Sequence, residues 1–120
     1  METTPPPIVL IVEDDAIQRE HLSTLLRDAD MDVIEFQTAE AGELILAKVG
    51  PELSVLVTDV NLGHGRTGIE LAKFARSQFP QLKIVIVSGK EQPIPANVNF
   101  LHKPYLAADL MREIDHSPRS

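Results

Sequence analysis

The chain has 120 residues and 43% hydrophobic content, which suffices for one buried core and leaves no room for a second domain. It contains no cysteine, which excludes a disulfide framework and any thiolate metal site. The formal net charge of −7 opposes the phosphate contacts that hold proteins to nucleic acid, so direct nucleic-acid binding is not expected.

The first seven residues contain three consecutive prolines, which favour extended backbone and supply no amide donors. We expect a flexible leader at residues 1–7, one domain at residues 8–116 and a short tail at residues 117–120. The leader lacks the basic residues that open a signal peptide, and no apolar run approaches the roughly 20 residues of a membrane span. The sequence therefore predicts a cytoplasmic protein that does not enter a membrane.

Short apolar runs rich in β-branched residues predict the strands. The strongest are Ile8–Val12, residues 55–57 and residues 84–87, which suit strands buried on both faces. A buried helix can share this composition, but each run is short and ends at polar or glycine residues. Two weaker runs, at residues 33–36 and 98–101, are each interrupted by a polar residue, so we expect them at the sheet edges.

Apolar residues at helical spacing separate these runs and predict the helices. The four sets are Ile17, Leu22, Leu25, Leu26 and Ala29; Leu44, Ile45 and Val49; Ile69, Ala72, Ala75 and Phe79; and Ala107, Leu110, Met111 and Ile114. Alternation of strands with helices predicts an α/β fold. We expect a doubly wound, five-stranded parallel sheet of the flavodoxin-like type in the order 2-1-3-4-5, which places the strongest runs in the interior.

The last crossover departs from this alternation. Only eleven residues, 89–99, separate Ser88 from Phe100, and among them Pro93 and Pro95 cannot continue a helical ladder. A parallel crossover needs at least about ten to twelve residues, so this segment is just long enough to join two strands. We therefore expect the helix of this crossover, which would be the fourth in a regular alternation, to be short or absent.

Polar side chains follow the strand runs, at the edge where open α/β sheets bind ligands. They are Glu13, Asp14 and Asp15 after the first run, Thr58, Asp59 and Asn61 after the third, Ser88 and Gly89 after the fourth, and Lys103 and Pro104 after the fifth. Crowded carboxylates repel one another unless a cation is present, and oxygen ligands suit Mg²⁺. Asp59 is placed to attack phosphorus, while Lys103 would neutralise the transferring group and Ser88 would bond the acyl phosphate.

Each of these features also has a purely structural interpretation. The acidic triplet suits a helix N-cap, and Asp59 suits a loop cap. Ser88 with Gly89 suits a turn, and Lys103 suits a solvated strand end. Their occurrence together, at four carboxyl ends in order, favours the phosphoryl-acceptor interpretation.

The same residues resemble the receiver domain family of two-component response regulators, of the CheY-like type, from residue 8 to about residue 115. The matching positions are the acidic pair Glu13 and Asp14, the phosphoacceptor Asp59, the switch hydroxyl Ser88, and Lys103 with Pro104. The resemblance implies Mg²⁺ held by Glu13 (through water), Asp14, Asp59 and the backbone carbonyl of Asn61. It also implies a cis bond before Pro104 and a switch formed by Ser88 and Phe100. The chain departs from the family in its loop at residues 61–68, which lacks the usual proline and is slightly longer, and in having Phe100 where tyrosine is common.

The resemblance implies a stand-alone response regulator that accepts a phosphoryl group on Asp59 from a sensor histidine kinase or histidine phosphotransfer protein. It would be a switch rather than an enzyme, and it would signal through contact with a downstream protein whose identity the sequence does not indicate. One alternative is a Mg²⁺-dependent haloacid dehalogenase-like phosphohydrolase, which would carry a second aspartate where Asn61 stands. Another is a receiver-like adaptor that works without phosphorylation. A flavodoxin-like FMN carrier would need aromatic clamps, and this chain has no tryptophan and one tyrosine.

Overall fold

The computed structural model describes residues 5–115. Its elements in chain order are β1 (Ile8–Val12), α1 (Ala16–Asp28), β2 (Asp32–Phe36), α2 (Ala39–Val49), a 3-10 turn (Gly50–Glu52), β3 (Val55–Asp59), α3 (Gly68–Gln78), β4 (Lys83–Ser88), β5 (Asn99–His102) and α4 (Ala107–Asp115). The predicted tail at residues 117–120 and the first four residues of the predicted leader lie outside the described residues. No helix between residues 5 and 115 combines the length and the apolar character that a bilayer crossing requires.

The strands form one parallel sheet in the order β2-β1-β3-β4-β5, which confirms the predicted order and edges. Successive strand residues face opposite sides, so the sheet carries two apolar clusters. Leu10, Leu56 and Ile84 pack beneath α2 and α3. Val57 and Val85 pack beneath α1 and α4 on the other face. Burial on both faces explains why the interior strands appear in the sequence as uninterrupted apolar runs.

Two of the apolar residues from which the helices were predicted are exposed in the structure. Ile17 on α1 is 82% exposed and Leu44 on α2 is 67% exposed. Leu44 lies two positions from the buried Leu46, which turns its side chain by about 200° to the opposite face of the helix. Ile17 lies five positions before the buried Leu22, a spacing that does not place both residues on one stripe. Both helices form where the apolar spacing predicted them, but that spacing did not fix which of its residues face the sheet.

The crossover from β4 to β5 contains no helix, as the two prolines predicted. Its far end is attached to α3 by Arg76, whose guanidinium donates to the backbone carbonyl of Asn97 at 2.8 Å. The same guanidinium donates to the backbone carbonyls of Phe79 and Pro80, at 3.3 and 2.7 Å. One side-chain hydrogen bond therefore attaches the end of this segment to α3.

Candidate functional site

Three carboxylates meet at the carboxyl ends of β1 and β3. One oxygen from each of Glu13, Asp14 and Asp59 lies within 4.8 Å of the others. β1 and β3 are neighbours in register, Val12 opposite Thr58, so the residues that follow both strands emerge at the same edge. Glu13 is buried, Asp59 is half-buried and Asp14 is exposed. The structure thus brings together the three acids that the sequence analysis selected as metal ligands.

Burial raises the pKa of Glu13 to about 7, and the negative charge of Asp59 acts in the same direction. The backbone amide of Asp15, 3.2 Å from a Glu13 oxygen, and the ammonium of Lys103 oppose this rise only in part. A hard divalent cation would relieve this crowding, because it prefers oxygen ligands and favours the charged form of each carboxylate. The residues at this edge therefore fit Mg²⁺.

The loop that follows β3 approaches the same acids. Gly63 has a φ of +75°, and a Cβ atom there would lie 3.4 Å from Oδ2 of Asp14. Arg66 fixes this loop to α2, since its backbone N–H donates to Glu40 at 3.0 Å and its guanidinium contacts Glu43. Asn61, the predicted carbonyl ligand, lies at an exposed position of the loop.

Both oxygens of the Asp59 carboxylate have hydrogen-bond donors. The backbone N–H of Val60 donates to Oδ1 at 2.7 Å, and the ammonium of Lys103 donates to Oδ2 at 3.1 Å. Lys103 also donates to Glu13 at 3.3 Å. Burial alone would lower the pKa of Lys103, but the charges of Glu13 and Asp59 outweigh it and hold that pKa above its usual value. The ammonium therefore stays charged beside the carboxylates of Asp59 and Glu13.

Lys103 is positioned by its backbone as well as by its charge. Its backbone N–H donates to the carbonyl of Ser88 at 2.8 Å, and the Lys103–Pro104 peptide bond is cis. The side-chain carbonyl of Gln18, on α1, accepts a further hydrogen bond from the ammonium. Sequence reasoning missed Gln18. Its place in the first turn of the helix that follows the acidic triplet was the available signal.

The acidic triplet is divided between a helix cap and the carboxylate cluster. Asp15 is the N-cap of α1, and its side chain accepts from the backbone N–H of Gln18 at 2.9 Å. Glu13 and Asp14 belong to the carboxylate cluster instead. Arg19, one turn into α1, donates to the backbone carbonyl of Glu13 at 2.8 Å and so attaches the helix to the end of β1.

Ser88 and Phe100, the two residues of the predicted switch, lie on neighbouring strands, β4 and β5. Ser88 ends β4 and is 4% exposed, and its hydroxyl oxygen accepts from the backbone N–H of Lys90 and from the side chain of Gln92, both at 3.1 Å. Phe100 lies on β5 opposite Ile86, half-buried against the cluster beneath α2 and α3. Gln92 is a second residue that the sequence analysis missed.

An open cavity of about 580 Å³ adjoins the carboxylates. Glu13, Asp59 and Lys103 form its polar part, and its wall includes Ile17 and Tyr105. The exposure of Ile17 thus leaves an apolar side chain at the rim of the acidic cluster.

Residues 9–115 match the family model for the response regulator receiver domain. The chain is 31% identical over 115 residues to the response regulator receiver protein CpdR of Brucella abortus, covering 89% of this chain and 92% of that protein. It is 32% identical over 104 residues to the transcriptional regulatory protein FixJ of Bradyrhizobium diazoefficiens, covering 81% of this chain but only 49% of FixJ.

Solved structures show the same similarity. A response regulator receiver protein from Sinorhizobium medicae superposes with a TM-score of 0.82 at 25% identity, over 91% of both chains. The receiver domain of the hybrid histidine kinase CckA superposes with a TM-score of 0.76 at 28% identity, over 89% of this chain and 94% of that domain. Since the family model spans all five strands but for the first residue of β1, this chain belongs to the response regulator receiver domain family.

Proposed function

We propose that this domain is a phosphoacceptor switch of a two-component phosphorelay, in which Asp59 takes a phosphoryl group from a histidine kinase or a histidine phosphotransfer protein. The observation that carries the proposal is the environment of Asp59. Its carboxylate is held between the Val60 amide and the Lys103 ammonium, and it lies beside Glu13 and Asp14. The similarity to a receiver domain of a hybrid histidine kinase supports a histidine-bound donor.

In the proposed reaction, a carboxylate oxygen of Asp59 attacks the phosphorus of a phosphohistidine. The new P–O bond forms as the P–N bond breaks, and the imidazole nitrogen that leaves takes up a proton. Lys103, already paired with Asp59 at 3.1 Å, would neutralise part of the negative charge on the transferring oxygens. The hydroxyl of Ser88 would then bond an oxygen of the acyl phosphate.

The proposed cofactor is Mg²⁺, held by Glu13 through water, by Asp14 and Asp59 directly, and by the backbone carbonyl of Asn61. When bound, Mg²⁺ would supply the positive charge that lets the carboxylates and the phosphoryl oxygens share one site. Among the described residues, the carboxylate of Glu13 forms a salt bridge to Lys103 at 3.3 Å, and no salt bridge to Asp14 is present. Their role in the proposal is to hold the cation and thereby leave Asp59 free to react.

The alternatives have less support. A haloacid dehalogenase-like phosphohydrolase needs a second acid two residues after the nucleophile, where this chain has Asn61. An adaptor that is never phosphorylated would not need the full set of acids, Lys103 and Ser88. We infer that the domain modifies only itself, and that its downstream partner is a protein because its charge of −7 opposes nucleic acid. Phosphotransfer from such kinases would place it in the cytoplasm.

The acceptor is tested by incubating the protein with acetyl phosphate and Mg²⁺ and measuring its intact mass. The wild type should gain one phosphoryl group, and Asp59→Asn should gain none. Asp32→Asn is the matched control, because Asp32 is exposed at the start of β2, at the opposite edge of the sheet. Equal labelling of Asp59→Asn, or no labelling of the wild type, would refute the proposal.

The metal site is tested by calorimetric titration with Mg²⁺ of two variants that each remove one charge. Asp14→Asn should weaken binding on the order of tenfold or more, because it removes a charged oxygen from the cluster. Asp15→Asn should bind nearly as well as wild type, because asparagine still caps α1 and Asp15 lies outside the cluster. Equal weakening in both variants would mean that Mg²⁺ responds only to the general charge of this edge.

A further inference from the structure

The hydroxyl of Ser88 is bonded from within the crossover that lacks a helix. Its oxygen accepts from the backbone N–H of Lys90 and from the side-chain amide of Gln92, each at 3.1 Å. The Gln92 nitrogen also lies 3.5 Å from the backbone carbonyl of Lys90, which can only accept. This second contact favours the orientation in which the nitrogen of the amide faces Ser88, because an amide oxygen in its place would face the carbonyl oxygen of Lys90. Gln92 is therefore the donor.

This arrangement decides what the hydroxyl of Ser88 can still do. A hydroxyl has two acceptor lone pairs and one hydrogen. Lys90 and Gln92 occupy both lone pairs, so the hydroxyl can add only a bond in which it donates. A phosphoryl group on Asp59 would bring such an acceptor to this edge. Asp59 on β3 lies opposite Val87 on the neighbouring strand β4, and Ser88 is the residue that follows Val87.

The local sequence favours this position of Gln92. Pro93 follows it directly, and a residue before proline is biased away from helical backbone toward extended backbone. The absence of a helix at residues 89–98 frees the side chain from the direction that a helical ladder would impose. Arg76 holds the other end of the segment through Asn97, so the crossover is attached to the site at one end and to α3 at the other.

We propose that Gln92 is a positioning residue for Ser88: its amide keeps the hydroxyl oxygen saturated with donors, so that the hydroxyl hydrogen is directed to the phosphoryl oxygens of Asp59. The same bond links the helix-free crossover to the chemical state of the site. This inference rests on the proposed function, because it assigns Gln92 a part in stabilising a phosphoryl group on Asp59.

Two substitutions at Gln92 test the direction of the bond. In Gln92→Glu the side chain has no N–H and would itself accept the hydroxyl hydrogen of Ser88, so the rate of Asp59 phosphorylation should fall about tenfold. Gln92→Ala removes one donor without adding an acceptor, so its rate should fall only about twofold to fivefold. Glu91→Gln, at the exposed neighbouring position, is the control and should label at the wild-type rate. Wild-type rates in both Gln92 variants would overturn the inference.

A double-mutant cycle with Ser88→Ala separates positioning from a general effect on folding. If Gln92 acts through the hydroxyl, Gln92→Ala should have no further effect once Ser88 is alanine. An equal loss of rate in the presence and absence of the hydroxyl would overturn the inference. A second readout needs neither Mg²⁺ nor phosphate: the Gln92 side-chain amide protons should exchange faster in Ser88→Ala than in wild type, and unchanged exchange would also overturn it.

These results are distinguishable from a failure of the proposed function. If wild type is not labelled at all, the role of Asp59 is wrong, whatever Gln92 does. If wild type is labelled at Asp59 while the Gln92 variants behave like it, the function stands and the positioning role is wrong.

Discussion

The chain enters and leaves β4 through two crossovers of different construction. The first contains α3, which begins with a capping box between Thr67 and Glu70 and buries Leu71, Ala72 and Ala75 against the sheet. The second, residues 89–98, has no helix and is attached by Gln92 to Ser88 and by Arg76 to Asn97. Each crossover joins two parallel strands in register.

The difference indicates where a change at Asp59 can be transmitted. The order of α3 is set by its own hydrogen-bond ladder and its buried face, neither of which contains a phosphoryl ligand. The order of residues 89–98 depends on the packing of Ile94 and Val98 against the core and on a few side-chain hydrogen bonds, one of which is made to Ser88. Segments with few buried contacts are the ones that change conformation at low energetic cost. We therefore expect the helix-free crossover to change conformation when Asp59 is modified, and α3 to keep its conformation.

The largest difference should appear when a methyl group is added to one glycine in each crossover, Gly68 at the start of α3 and Gly89 directly after β4. A Cβ at Gly68 would lie 1.7 Å from the backbone oxygen of Asp59, whereas a Cβ at Gly89 would have no atom within 4 Å. Gly68→Ala should lower the free energy of unfolding by at least about 2 kcal/mol, and Gly89→Ala should change it by less than about 0.5 kcal/mol. Urea denaturation measures both, and similar losses would mean that the two crossovers are equally constrained.

Replacing Lys103 should reduce phosphorylation more than it reduces stability. Lys103 follows β5, the strand to which the helix-free crossover leads, and pairs with Asp59 at 3.1 Å. Lys103→Met should lower the rate of Asp59 phosphorylation by about tenfold or more while Mg²⁺ still binds, because the ammonium faces the transferring oxygens. Lys73→Met, on the exposed face of α3, is the control. If Lys103→Met were labelled at the wild-type rate, the position of the Lys103 ammonium would not matter for phosphorylation of Asp59.

Removing the hydrogen bond between Arg76 and Asn97 should lower the stability of the protein without lowering the phosphorylation of Asp59. Arg76→Ala loses the 2.8 Å bond to the carbonyl of Asn97, so unfolding should become easier by about 1–2 kcal/mol. Amide exchange at residues 96–98 should accelerate, while labelling of Asp59 stays within about twofold of wild type because Gln92 still bonds Ser88. Lys73→Ala on the same helix serves as the control. A loss of labelling as large as in Lys103→Met would place the attachment to α3, rather than to Ser88, in the path to the site.

The smallest effect is expected at the cap of α3. Thr67→Ala removes the acceptor for the backbone N–H of Glu70, 3.2 Å away, and should cost about 1 kcal/mol. Thr67→Ser should retain most of that stability. Hydrogen exchange should accelerate in the first turn of α3 and remain unchanged at residues 89–98. Acceleration in both crossovers would show that their stabilities are coupled, contrary to the comparison above.

Much of this fold follows from local sequence pattern. The order of the sheet was predictable because the strands buried on both faces carry the strongest apolar runs, such as Ile8–Val12. The missing helix was predictable because Pro93 and Pro95 remove backbone donors from a segment that is already short. The exposure of Ile17 and Leu44 was not predicted, since it depends on the rotation of each helix against the sheet.

The site was predictable to the extent that parallel strands deliver their carboxyl ends to one edge, which brings Glu13, Asp14 and Asp59 together. The contacts of Lys103 with Gln18 and of Ser88 with Gln92 were not. Both depend on side-chain rotamers, and the first joins positions 85 residues apart in the chain. Neither glutamine carries a charge or a motif that would set it apart from a solvated loop or helix residue.

The central claim, that Asp59 is the phosphoacceptor, is tested most directly by locating the acyl phosphate. The protein is labelled with acetyl phosphate and Mg²⁺, reduced with borohydride, digested and sequenced by mass spectrometry. The account predicts that the reduced residue is Asp59 alone, and that its yield falls to background when EDTA replaces Mg²⁺. Reduction at Glu13, Asp14 or Asp15 instead, or labelling of Asp59 that EDTA leaves unchanged, would contradict it.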